Sequence, residues 1–214
     1  TLSIDALSAG GIEKSLSPSE QQGLLDWLLA CQYPSVHPYT QAAPGGWAST
    51  DLPGAVPDAD DTAGALIALH ELSPVARESR VSEAVRAGVE WLLGLQNADG
   101  GIPTFCRGWT NLPFDKSAAD LTAHALAAMG VWLPTLPEPL KGRTEQAMRR
   151  ALHYLQGAQR PDGSWVPLWF GNQSAVKQEN PVYGTSRALK HLATCASGIG
   201  RMGPIGPMCE RALQ

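Results

Sequence analysis

Trp27-Leu28-Leu29-Ala30-Cys31-Gln32, Trp91-Leu92-Leu93-Gly94-Leu95-Gln96 and Tyr154-Leu155-Gln156-Gly157-Ala158-Gln159 are three versions of one hexapeptide. Their glutamines recur about every 63 residues, and self-similarity at a fixed period marks a repeat architecture. A glycine turn follows each copy: Pro44-Gly45-Gly46-Trp47, Asn97-Ala98-Asp99-Gly100-Gly101 and Pro161-Asp162-Gly163-Ser164-Trp165.

Each repeat reads as an amphipathic helix running into the glutamine, a glycine loop, and a second helix of small residues. The first set is predicted at Pro18–Cys31, Val81–Gln96 and Thr144–Gln159, with Val85, Val89, Leu92 and Leu93 at helical spacing. The second set is predicted at Asp60–Leu72, Ala118–Met129 and Tyr183–Cys195. Two concentric layers accommodate both sets, the charged one outside and the alanine-rich one inside, which makes an all-α fold of the α/α toroid type. In such a ring the glutamine amides Gln32, Gln96 and Gln159 are expected to satisfy free backbone groups of a neighbouring helix end, and Trp47 and Trp165 to stack across the join. Residues 1–15 read as an N-terminal tail and 16–214 as the toroid domain. Pro204 to Gln214 resembles the start of a further outer helix, so the domain holds three repeats and a partial fourth. That is an incomplete barrel, and the expectation is a piece of a longer chain.

The chemistry is expected in Pro57-Asp58-Ala59-Asp60-Asp61-Thr62, where three acids open the first inner helix. One carboxylate is welcome at a helix N-terminus, but three crowded together repel, and crowding pushes at least one pKa upward. A carboxyl group kept protonated near neutrality can act as a Brønsted acid. The plainer alternative is an over-acidic N-cap facing solvent.

Bulk composition narrows the classes. Hydrophobic residues make up 43% and charged ones 17%, which suits a core-rich globular chain rather than a disordered one. The net charge of −4 offers no basic patch for nucleic acid. Cys31, Cys106, Cys195 and Cys209 are scattered without metal-ligand spacing and read as reduced thiols. No apolar run reaches the ~20 residues of a membrane span, although resting on a membrane surface stays open. The expected location is the cytoplasm or the cytoplasmic membrane face.

At this point the motifs resemble those of the squalene-hopene cyclases, class II triterpene cyclases. The glutamine-tryptophan repeats resemble that family's QW motifs, and Asp58-Ala59-Asp60-Asp61-Thr62-Ala63 its DxDDTA acid motif. Asn111-Leu112-Pro113-Phe114 resembles the IPF loop, Asp120-Leu121-Thr122-Ala123-His124 the DVTAH helix, and Asn180-Pro181-Val182-Tyr183-Gly184-Thr185 the NYxYGT segment. The resemblance implies proton-initiated cyclisation of a linear polyprenoid such as squalene. Asp60 would be the proton donor, Asp58 and Asp61 its tuning neighbours, and His124 the partner that makes it more acidic. Asp120 stands one turn before His124, and Tyr183 beside the acid. Trp169 and Phe105 fall where the family places aromatic rings toward carbocations, which ring faces stabilise without reacting.

Neither a cofactor nor a metal is implied; a hydrophobic substrate and a second helical domain to close the cavity are. Ile102-Pro103-Thr104-Phe105-Cys106 and an insertion at Phe170–Glu179 depart from the family pattern and point to another polyprenoid. Each assignment has a structural rival: His124 and Asp120 as a helix-surface pair, Trp169 and Phe105 as core fillers. His37, His70, His153 and His191 read as bystanders. Two rival functions remain at this stage, a carbohydrate-active toroid using Asp60 and a non-catalytic or partner-dependent toroid fragment. A protein prenyltransferase subunit would need a zinc-ligand set that the sequence does not display.

Overall fold

The computed structural model describes residues 2–73, 79–104, 113–199 and 203–214. The helices are α1 (Leu2–Ala9), α2 (Ile12–Ser15), α3 (Pro18–Ala30), α4 (Ala59–Leu72), α5 (Ser79–Leu95), α6 (Ala119–Trp132), α7 (Leu140–Ala158), α8 (Pro181–Ile199) and α9 (Ile205–Ala212). Among the described residues there is no β-strand, and no helix is both long and apolar enough to cross a membrane.

The layering follows from side-chain pattern. On α5 and α7 the apolar residues fall on one face, so each buries a stripe and leaves charge outside. On α6 the residues from Ala119 to Met129 are all buried, which only an inner position allows. Accordingly α6 packs between α4 and α8, while α3, α5, α7 and α9 lie against them from outside. This is an arc of an α/α toroid. Each predicted helix is present, with ends differing by a few residues.

One pair of bonds repeats along the arc and ties each glycine turn to the next outer helix. Gln32 Nε2 donates to Gly45 O (2.8 Å) in its own turn and to Ala84 O (2.9 Å) in the next outer helix. Gln96 does the same to Gly100 (2.8 Å) and Ala147 (2.9 Å), and Gln159 to Gly163 (2.9 Å) and Met208 (2.8 Å). The third bond lands on α9, which lies against α8 from outside. The indole N–H of Trp47 donates to Leu28 O and that of Trp165 to Leu155 O, both at 2.8 Å, closing each turn onto its own outer helix. Both indoles are buried.

Residues 2–15 correct the expectation of a tail. They form α1 and α2, and Ile4 and Ile12 are buried in the core, with α1 packed on α4. Gly10-Gly11 interrupts the apolar pattern, which hides these helices from a periodicity reading. Then Ser17 caps α3, accepting from the Glu20 amide while Glu20 Oε2 accepts from the Ser17 amide at 2.8 Å.

Candidate active site

A clasp of two bonds holds the start of the first two inner helices against their glycine turns, and one of the two bonds recurs in the third. In the first repeat the Asp58 amide donates to Trp47 O (3.1 Å) and the Trp47 amide to Thr62 Oγ1 (3.0 Å). In the second the Ala118 amide donates to Ile102 O (3.0 Å) and the Ile102 amide to Thr122 Oγ1 (2.9 Å). In the third the Trp165 amide donates to Thr185 Oγ1 (3.0 Å). These threonines define equivalent positions. Two residues before them stand Asp60, Asp120 and Tyr183; two residues after them stand Gly64, His124 and Arg187.

Those two inner-helix positions carry the site. Asp60 Oδ1 accepts from His124 Nδ1 at 2.6 Å and from Arg187 Nη2 at 2.9 Å. The Asp60 side chain is 43% exposed, while His124 and Arg187 behind it are 8% and 16% exposed, so the acid faces outward from a buried pair of donors. It opens onto a pocket of about 170 Å³ whose lining includes Asp61, Glu71, Lys190 and His191. A larger groove of about 830 Å³ lies between Tyr33–Gly45 and α5, away from these groups.

Electrostatics divides the acid motif. Burial works to raise the Asp60 carboxyl, but the hydrogen bond and charge of His124, joined by those of Arg187, outweigh it and hold it below the usual 3.8. The acid that is pushed up is Asp58, to about 9, by burial first and then by Asp61 beside it. Asp58 is the N-cap of α4, its Oδ1 accepting from the Asp61 amide at 2.8 Å. Like-charge crowding therefore acts on the cap rather than on the residue expected to give the proton.

A stability test follows from that sign. An unfolded carboxyl ionises near 3.8, whereas folded Asp58 keeps its proton to about 9, so the stability it contributes is present below the lower value and is lost as pH rises toward the higher. Asparagine caps a helix equally well and cannot ionise. Asp58→Asn is expected to melt with the parent near pH 4 and several degrees above it near pH 8. A melting difference that does not vary with pH would contradict this assignment.

Asp120 is buried at the start of α6 with Oδ1 lacking a hydrogen bond, and burial raises its carboxyl. His124 reaches across to α4 instead of back to Asp120. Since both are buried, they are not a helix-surface pair. Tyr183 packs its ring on Phe170 (5.0 Å between centroids) at the edge of the insertion, and burial raises its hydroxyl. Trp169 stacks on Phe114 (4.8 Å), and its indole N–H donates to Thr104 Oγ1. Thr104 O in turn accepts from the Ala59 amide (2.9 Å), which ties this aromatic wall to the start of α4. Phe105 lies outside the described residues.

Two residues escaped the sequence reading. Arg187 belongs to no quoted motif, and His191 read as a bystander, yet its ring stacks on His124 with centroids 4.2 Å apart and planes 16° apart. Burial, with His124, Arg187 and Lys190 nearby, holds the His191 ring neutral. The available signal was spacing: Tyr183, Arg187 and His191 stand four apart and so share one face of α8.

A helical arc with an acid cluster at the mouth of its first inner helix is part of an α/α toroid. Residues 1–202 match the family model described as the squalene-hopene cyclase C-terminal domain. The chain belongs to the squalene-hopene cyclase family of class II terpene cyclases. Similar proteins include the squalene–hopene cyclase of Bradyrhizobium diazoefficiens, 28% identical over 99% of this chain and 32% of that protein. Sporulenol synthase of Bacillus subtilis is 31% identical over 82% of this chain and 27% of its own length. Enfumafungin synthase of Hormonema carpetanum is 31% identical over 72% of this chain and 12% of its own length. The chain thus spans a third or less of these relatives. Among solved structures, a family 10 polysaccharide lyase from Cellvibrio cellulosa shares the fold, with a TM-score of 0.57 at 16% identity over 92% of this chain and 66% of that one.

Proposed function

We propose that this chain supplies the acid side of a proton-initiated cyclisation of a linear polyprenoid such as squalene, with Asp60 as general acid. The observation that carries the reading is the pairing of Asp60 Oδ1 with His124 and Arg187, in a member of a cyclase family. An alkene is a poor base, so the acid must be stronger than an ordinary carboxyl group, and cationic donors on the carboxylate make it so. The O–H bond of Asp60 breaks, its proton forms a C–H bond at one carbon of the terminal double bond, and the other carbon becomes the cation. The carboxylate left behind keeps its two donors. Rings such as Trp169 stabilise the travelling cation by ~0.5–2 kcal/mol each. Asp58 and Asp61 tune the motif, and Asp120 and Tyr183 border it.

The pocket at Asp60, about 170 Å³, is smaller than the several hundred Å³ that a bulky ligand needs. The remaining walls come from a second helical domain or the rest of a longer chain, and the greasy substrate from a membrane. The 214 residues alone are expected to give no cyclic product from squalene in detergent, whereas the longest natural form gives one, read by gas chromatography and mass spectrometry. Efficient cyclisation by the isolated chain would overturn the need for a closing domain. A longest form inert toward squalene and other polyprenes would overturn the cyclase reading.

A further inference from the structure

The acid has a second cationic partner that the motifs do not predict. Arg187 comes from α8, 127 residues from Asp60 in sequence, and its Nη2 lies 2.9 Å from Asp60 Oδ1 and 3.5 Å from His124 Nδ1. In repeat register it occupies on the third inner helix the place that His124 occupies on the second. Two successive repeats thus direct a nitrogen donor at one oxygen of the first. The Arg187 side chain is 16% exposed, and its buried Nε has no hydrogen-bond partner, a cost tolerated in favour of the Asp60 contact.

We propose that Arg187 is a positioning residue for the acid: with His124 it fixes Asp60 Oδ1, leaves Oδ2 to carry the transferable proton, and keeps a permanent positive charge beside the carboxylate. The proposal rests on the reading of Asp60 as general acid and deepens it. Imidazole loses its charge near neutrality, whereas guanidinium keeps its charge throughout the working range. A histidine alone would therefore let the strength of the acid vary with pH. Arginine adds a charge that stays constant over that range. When the proton leaves Oδ2, the new carboxylate meets a charge already in place, so the product of the step is stabilised without reorganisation.

Other charged or titratable groups stand around Asp60 on three helices. From α4 and its cap come Asp58, Asp61 and Glu71; from α6, Asp120 and His124; from α8, Tyr183, Lys190 and His191. The acids among them oppose Arg187, and the neutral His191 ring adds no charge to the stack. Among the described residues, His124 and Arg187 both donate to the Asp60 carboxylate.

The test uses Arg187→Gln and Arg187→Lys in the longest natural form of the protein. Glutamine keeps an N–H donor and removes the charge; lysine keeps the charge and loses the planar fork. The first readout is independent of turnover: the Asp60 carboxyl, labelled with carbon-13 and assigned with Asp60→Asn, is titrated by NMR. In Arg187→Gln its midpoint is expected to rise by about one unit or more, and in Arg187→Lys to stay close to the parent. The second readout is squalene cyclisation. Arg187→Gln is expected to lose about a hundredfold in kcat with KM changed less than about threefold, and its alkaline limb moves up with the Asp60 midpoint. Lysine is expected to recover most of the loss. An unmoved midpoint in Arg187→Gln, or a kcat within about threefold of the parent, overturns the proposal. A moved midpoint in a protein that leaves squalene untouched supports the hold of Arg187 on Asp60 and counts against the polyprenoid reading instead.

Discussion

Asp60→Asn is expected to slow cyclisation by at least about a thousandfold while leaving the helix content unchanged. The amide has the shape of the acid but no proton that an alkene can take. His124 and Arg187 cannot substitute, because each points its donor at Asp60 Oδ1 and neither is placed to protonate carbon. The substitution also removes a negative charge from between two cationic donors, so a modest fall in melting temperature accompanies it. The comparison is sound because the clasp that holds the start of α4 runs through Trp47, Asp58 and Thr62 and does not involve the Asp60 side chain. Circular dichroism on both proteins separates the two effects. A folded Asp60→Asn protein that still cyclises at more than a tenth of the parental rate would remove Asp60 from the role of acid.

The second large effect is on folding. Gly45→Ala is expected to lower stability by about 2–4 kcal/mol, which for a chain of this size lowers Tm by about 6–12 °C. Gly45 has φ of +108°, a conformation that a side chain resists, and a Cβ built there would lie 2.7 Å from Ala87 O in α5. The neighbour is helix backbone and has little freedom to retreat. Gly45 O also accepts the Gln32 amide, so a shift of the turn loosens the tie between successive outer helices. Thermal melting measures the loss. A change within a degree of the parent would mean that the turn is not a fixed joint of the arc.

The fold was legible because the joints of the ring are made of distinctive residues. A glutamine and a glycine with positive φ recur with one period, joined in the first and third turns by a tryptophan, and each answers a backbone need at a helix end. The acid motif and His124 were legible for a similar reason, since the motif residues stand close together in sequence. What escaped has a physical cause in each case. Arg187 and His191 reach the site across the ring, and a contact over 127 residues leaves no local pattern. Their register with His124 becomes visible only once Thr62, Thr122 and Thr185 are seen to make one bond. That one acid of the motif is raised was legible, but which one was not, because the partners that favour Asp60 as an anion come from α6 and α8, whereas burial and the Asp61 carboxylate outweigh the one amide that Asp58 accepts from. The N-terminal helices were hidden by Gly10-Gly11 and by the lack of any period shared with the repeats.

The measurement that bears most directly on the central claim is cyclisation of squalene by the longest natural form in heavy water. A proton given by Asp60 has exchanged with solvent, so the cyclic hydrocarbon is expected to carry one deuterium, located on the terminal-alkene carbon that received it. Mass spectrometry counts the label and NMR of the purified product locates it. A cyclic product without deuterium at that carbon would contradict initiation by a carboxylic acid.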